Sequence, residues 1–158
     1  MARARRLLIS FDPNLRPSLW ESEEVMIRTI NDLASKADLM LPGTGEGMAL
    51  MGSDNPEAIA RFYRSIGVDT VIVKYGSRGA YVSSPQGEKH HPGFRIPKVV
   101  DTVGAGDCFA VGILSAMLEQ LSLEETIRRG NAIGAIQVSV RSDNEGLPTR
   151  EELKAFIG

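Results

Sequence analysis

Asp101-Thr102-Val103-Gly104-Ala105-Gly106-Asp107 stands directly before the apolar run Cys108 to Leu121, and its residue types suit an anion. The small residues Gly104, Ala105 and Gly106 let the backbone turn sharply and let a ligand come close. The apolar run that follows has helical spacing, so the amides of this stretch lie at a helix N-terminus. Unpaired amides and the positive end of the helix dipole both favour a phosphate, or the charge that develops while one is transferred. Asp107 breaks the pattern, because a carboxylate competes with a phosphate unless it accepts a proton from the nucleophile attacking that phosphate. The alternative is an ordinary first-turn acid after a tight turn.

Two other stretches carry chemistry. Asp12-Pro13-Asn14-Leu15-Arg16 follows the apolar run Leu7 to Phe11, at the kind of strand end where open α/β sheets bind ligands. The planar fork of Arg16 suits carboxylate and phosphate alike; a turn in which Asp12 and Asn14 bond their own backbone and Arg16 is solvated is the other reading. Lys74-Tyr75-Gly76-Ser77-Arg78-Gly79 follows the β-branched run Thr70 to Val73, and Gly76 and Gly79 flank a turn that a nucleotide could approach. His90-His91-Pro92-Gly93 is read as a solvated loop, since adjacent histidines on an extended chain point in different directions and there is no third histidine. Cys108, the sole cysteine, sits where a helix start can lower a thiol pKa; it is read as a small buried apolar residue.

At Asp101 to Asp107 the sequence resembles the signature of the ribokinase-like (PfkB) carbohydrate kinases. The resemblance implies an ATP-dependent kinase that phosphorylates a sugar hydroxyl, with Asp107 as the base and the amides of Gly104, Ala105 and Gly106 as the anion hole. It implies that Lys74, Gly76, Ser77 and Gly79 lie along the nucleotide and that Asn131, in Gly130 to Ala135, packs beside adenine. The stretch Asp12 to Trp20 is similar to one in the branch that phosphorylates 2-keto-3-deoxygluconate and fructose, which implies that Asn14 and Arg16 face a sugar acid or the transferred phosphoryl group. The substrate expected is 2-keto-3-deoxygluconate or a related keto sugar, with fructose or ribose as alternatives. Pro42-Gly43-Thr44-Gly45-Glu46 resembles an Asn-x-x-Glu element that holds Mg²⁺ mainly through water. Gly43 replaces the Asn, so Glu46 is either that magnesium residue or a plain first-turn acid. Asp101 matches a monovalent-cation ligand, with K⁺ as the ion, or it caps its own loop. The resemblance spans the chain but only the C-terminal half of the family, so residues 1–158 are expected to be a single domain lacking the N-terminal substrate and lid half. A catalytically incompetent piece that binds nucleotide or only folds is the competing expectation, with self-association through an exposed sheet edge.

The elements that must position these residues follow from pattern and punctuation. The stretches Leu7 to Phe11, Ala37 to Leu41, Thr70 to Lys74, Ala80 to Ser83 and Val99 to Val100 read as strands. Ser18 with Glu21 reads as the cap of a helix from Leu19 to Lys36 that buries Val25, Ile27, Ile30 and Leu33. Thr44 opens a short helix through Met51, and Asn55-Pro56 starts another that Gly67 ends. Ser122 with Glu125 and Thr149 with Glu152 are capping boxes for two further helices. The small residues Ala110, Gly112 and Ala116 prepare a close helix contact. This order predicts an α/β fold: an open, mainly parallel sheet with helices on both faces. The chain has 158 residues and a formal net charge of −2, which gives no electrostatic case for nucleic acid or an anionic membrane as partner. One cysteine and no long apolar run fit a cytoplasmic protein, and the resemblance implies a sugar or sugar acid and ATP as its partners.

Overall fold

The computed structural model describes residues 7–142 and 145–158; the basic start Met1 to Arg6 and the pair Asp143-Asn144 of the loop before the last helix lie outside the described residues. The chain forms two compact units, one running to Tyr75 and including Tyr81–His90, the other made of Gly76–Ala80 and His91–Gly158.

In the first unit, apolar runs separated by capped helices become strands β1 (Ser10–Phe11), β2 (Leu39–Met40) and β3 (Thr70–Lys74), paired in parallel. Strands β4 (Ala80–Ser84) and β5 (Gly87–His91) extend the order to β1-β2-β3-β4-β5. The links from β3 to β4 and from β4 to β5 are far shorter than the roughly dozen residues a parallel crossover needs, so this side of the sheet is antiparallel and the sheet is mixed. The connections carry α1 (Glu23–Ala34), α2 (Thr44–Met51) and α3 (Pro56–Ser65). Right-handed crossovers between strands laid down in sequence order put all three on one face. Their packing agrees: Met26, Ile30, Leu50, Ile59 and Tyr63 share one core with Met40, Val71 and Val73. Leu39, Leu41 and Ile72 are buried too, so these strands have no wet face, which is why they read as unbroken apolar runs.

In the second unit α4 (Ala105–Leu118), α5 (Leu123–Gln137) and α6 (Arg150–Ile157) are helical. Both predicted capping boxes are present: Glu125 Oε2 accepts from the Ser122 amide at 3.0 Å, and Glu152 Oε2 from the Thr149 amide at 2.8 Å. The α4–α5 contact is as close as the small residues foretold, since a Cβ added at Gly112 would lie 2.7 Å from the Cα of Gly130.

Several local expectations are corrected. The cap of α1 is Ser22, whose Oγ accepts from the Val25 amide at 3.2 Å, while Pro17–Leu19 forms a separate 3-10 turn. The buried stripe of α1 is Met26, Ile30 and Ala34, four residues apart on one face, and Leu33 is exposed. Leu7 and Leu8 stay exposed, because pairing with the β2 strand begins only at Ile9, whose carbonyl accepts from Asp38 and Leu39. His90 and His91 are not loop residues but the end of β5, with His91 buried. Val99 and Val100 form no strand and are exposed. Leu118, within the apolar run from Cys108 to Leu121, is 85% exposed at the end of α4. Among the described residues no helix is long and apolar enough to cross a membrane.

Candidate active site

The loop before α4 is built from its two ends inward. At its entry, the amides of Val100 and Asp101 donate to the carbonyl of Val138, at 2.7 and 3.3 Å. Asp101 then turns on itself, its Oδ1 accepting from the Val103 amide at 3.0 Å, which is the capping role offered as one of its two readings. Gly104 takes φ 75° and ψ −9° as the N-cap of α4, a left-handed conformation that side chains with a Cβ resist. Helix therefore begins at Ala105, three residues before the run at Cys108 from which it was read. Ala105 donates to the Thr102 carbonyl at 3.3 Å, and Cys108 to the Gly104 carbonyl at 2.8 Å. Gly104, Ala105 and Gly106 are half-buried, and Asp107 is exposed in the first turn. A carboxylate on the first turn, beside amides and facing solvent, can take a proton from an incoming hydroxyl. Cys108 is buried at 2% exposure; burial, and then the neighbouring Asp107 charge, hold its thiol above the usual range. Desolvation outweighs the helix terminus here, and the residue packs as a small apolar group.

The turn read as a nucleotide contact lies in the same unit. Gly76–Arg78 is a 3-10 turn with Gly76, Ser77 and Arg78 exposed. Gly79 has φ 96°, and a Cβ there would run into the His91 carbonyl and the Gly93 amide, so this approach of two backbones admits only glycine. Asn131, read as an adenine neighbour, lies inside this unit. It is 7% exposed, and its Nδ2 donates to the carbonyls of Pro92 at 3.1 Å and His91 at 3.4 Å. Its amide nitrogen thereby holds the main chain that backs the Gly76–Gly79 turn.

In the first unit, residues at the strand ends bind one another. Lys74 Nζ lies 2.8 and 2.7 Å from the two carboxylate oxygens of Asp12, with both side chains less than a fifth exposed. Lys74, read as a nucleotide residue, is paired here with Asp12, and the pair ties the end of β1 to the end of β3. Asn14 has φ 41° and accepts at Oδ1 from Arg16 Nη1 at 2.7 Å. The same Nη1 donates to the carbonyls of Asn14 and Leu15, so the guanidinium is folded onto its own loop while the residue stays exposed. Glu46 accepts at Oε2 from Gly43 at 2.7 Å and at Oε1 from Leu15 at 3.1 Å. It therefore fixes the loop that carries Arg16 as well as capping α2. Its charge, after burial, raises the phenol of fully buried Tyr63 above the ordinary tyrosine range. Among the described residues no three His, Cys, Asp or Glu side chains converge as a metal site.

Sequence reasoning passed over Gln137. Its carboxamide is fully buried and bonded to the loop before α4. The signal was present: a carboxamide recurring on the buried spacing of α5, with Thr126, Gly130 and Ile133.

The chain thus combines a mixed sheet in an α/β order with a helix that opens on a left-handed glycine and carries an acid in its first turn. The pattern of the pfkB family carbohydrate kinases matches residues 1–150, and the chain belongs to that family. It is 51% identical over 149 residues to a 2-dehydro-3-deoxygluconokinase of Bacillus subtilis, covering 94% of this chain and 46% of the relative. A PfkB protein from a Polaromonas species is similar at TM-score 0.84 and 48% identity, over 97% of this chain and 48% of that one. A putative ribokinase II of E. coli, solved in complex with ATP and Mg²⁺, is similar at TM-score 0.87 and 30% identity, over 98% of this chain and 50% of that one. The chain thus spans about half the length of the curated relatives it matches.

Proposed function

We propose that this chain carries the phosphoryl-transfer part of a sugar kinase that uses ATP to phosphorylate 2-dehydro-3-deoxygluconate, also called 2-keto-3-deoxygluconate, or a closely related keto sugar. The observation that carries the reading is Asp107, exposed on the first turn of α4 directly past the left-handed Gly104. The substrate class is taken from the 51% identity to a 2-dehydro-3-deoxygluconokinase.

In this reading Asp107 accepts the proton of the sugar hydroxyl as its oxygen attacks the γ-phosphorus in line and the bond to the β-phosphate oxygen breaks. The amides of Gly104, Ala105 and Gly106 receive the charge that spreads over the transferred group, and preorganised donors of this kind are each worth about two to three orders of magnitude in rate. Gly76, Ser77 and Gly79 line the nucleotide, and Arg16, steadied by Asn14, takes a sugar carboxylate or a phosphoryl oxygen. Mg²⁺ when bound offsets phosphate charge. The donor set suits an ion held by phosphates and water, since each Glu46 oxygen already accepts one amide and keeps lone pairs for water. Asp101 keeps Oδ2 for a monovalent cation such as K⁺. Because the chain spans 46% of its relative, a second reading is a nucleotide-binding piece without turnover.

Calorimetry of ATP binding with Mg²⁺ and K⁺, run beside transfer assays on 2-dehydro-3-deoxygluconate, fructose and ribose, separates these readings. Binding with transfer to the keto sugar acid is expected; binding without any transfer leaves only the second reading, and neither overturns both. Asp107→Asn is expected to lower kcat by about 10²- to 10⁴-fold while ATP affinity stays within about twofold. Unchanged turnover would remove Asp107 as the base.

A further inference from the structure

Gln137 ends α5 and is fully buried, yet every polar atom of its carboxamide is used. Nε2 donates to the carbonyl of Val103 at 3.3 Å and to the carbonyl of Ser142. Oε1 accepts from the Gly146 amide at 3.0 Å and from Cys108 Sγ at 3.5 Å. Two carbonyls on one side and an N–H and an S–H on the other fix which way the amide faces, because a flipped group would set donor against donor and acceptor against acceptor. A buried carboxamide is tolerated only when bonded in this way.

Two of these contacts, to Val103 and Cys108, bracket the start of α4. Val103 immediately precedes Gly104, and Cys108 immediately follows Asp107. The Val103 carbonyl and the Gly104 amide belong to one planar trans peptide. A donor that holds the carbonyl on the Gln137 side therefore aims the Gly104 N–H to the opposite side. Val138, the next residue, holds the amides of Val100 and Asp101, so the last residue of α5 and the one that caps it clamp the loop at its entry and at its turn.

We propose that Gln137 is the positioning residue of the phosphate-receiving turn: its carboxamide sets the direction of the Val103–Gly104 peptide, and with it the amides through Gly106, and ties that turn to Ser142 and Gly146. The proposal rests on the reading of Gly104 to Asp107 as a phosphoryl-transfer loop. Misdirected amides cost most where charge develops, so the loss falls on kcat rather than on nucleotide affinity.

The test uses the full chain as Gln137→Met, similar in length and without donor or acceptor, and Gln137→Glu, which keeps the acceptor and loses both donors. Gly146→Ala is the second route, because its Cβ would press on Gln137 Oε1 from outside and leaves the carboxamide intact. Backbone ¹⁵N order parameters at Val103 to Gly106 are expected to fall from about 0.85 to below about 0.6 in each variant that folds, while Phe109 to Ile113 in the body of α4 stay unchanged. In the transfer assay kcat is expected to fall by about 10- to 100-fold, the scale of a small misplacement, with the KM for ATP within about threefold. Unchanged order parameters at Val103 to Gly106 overturn the proposal, as does a loss spread evenly over the loop and all of α4. If the unmodified chain transfers no phosphoryl group, the functional reading fails by itself, and the order parameters still decide the role of Gln137.

Discussion

Lys74 shows how a side chain can have the right charge at the right strand end and still be committed elsewhere. Its ammonium is bracketed by both oxygens of Asp12, and removing one member of a mostly buried pair leaves the other desolvated without a partner. Lys74→Met is therefore expected to cost about 1–3 kcal/mol of stability while the ATP dissociation constant moves by less than about twofold, read by denaturant unfolding and calorimetry on the same sample. A tenfold loss of affinity with unchanged stability would return Lys74 to the nucleotide. Asn131 follows the same logic with a neutral group, because its amide nitrogen is taken by two carbonyls of the chain behind Gly79. Asp107 lies exposed in the first turn of α4.

Among the elements, the helix starts are governed by local chemistry, and where two caps compete the geometry picks one. Ser18 with Glu21 has the sequence form of a capping box, but Pro17 starts a tighter 3-10 turn over Pro17–Leu19, and the chain is extended at Ser22 before α1 begins. Ser22→Ala should lower the unfolding free energy by about 1 kcal/mol, whereas Ser18→Ala should stay within about 0.5 kcal/mol of wild type; equal losses in chemical denaturation would restore the earlier cap. The same local rule holds at Asn55, whose Oδ1 accepts from Ala58 at 2.8 Å, and at Ser122 and Thr149. The α4 start differs, because it rests on the backbone of Gly104 rather than on a capping side chain.

For the whole molecule, the hairpin of β4 and β5 links stability to pH at both ends of the scale. Tyr81 Oη and Ser83 Oγ donate to the two oxygens of Glu88, each at 2.9 Å. Burial first, and then the Glu88 carboxylate, push the Tyr81 phenol up to about 12. The hydrogen bonds from Tyr81 and Ser83 hold Glu88 below the usual carboxylate range. Between the ordinary tyrosine value near 10 and about 12, the folded state binds more protons than the unfolded one. The Tyr81 contribution is thus complete below pH ~10 and is lost as pH rises through that window. The Glu88 contribution has the opposite sign, present above the unfolded carboxylate value near 4.3 and lost as pH falls. Glu88→Gln is expected to flatten the acid limb of the unfolding midpoint. It should also bring the Tyr81 absorbance titration down only part of the way, since burial is the larger cause. A return to the ordinary value would make Glu88 the main cause.

What this sequence determined by itself is what closes within a turn or along one strand. That covers the strands from β1 to β4, the capping boxes at Ser122 and Thr149, the glycine at position 104, and the family resemblance of the 101–107 loop. Each depends on residues within a few positions of one another, and hydrogen bonds of that reach form wherever the local chain goes. What only the tertiary structure decided is the partner of each charged or amide side chain. Lys74 meets Asp12 across 62 residues, Asn131 meets Pro92 across 39, and Gln137 meets Val103 across 34. Those distances are closed by the register of β1 against β3 and by the packing of α5 on the loops before α4. A buried polar group takes whatever partner that packing brings within reach, because leaving it unpaired costs more than almost any choice.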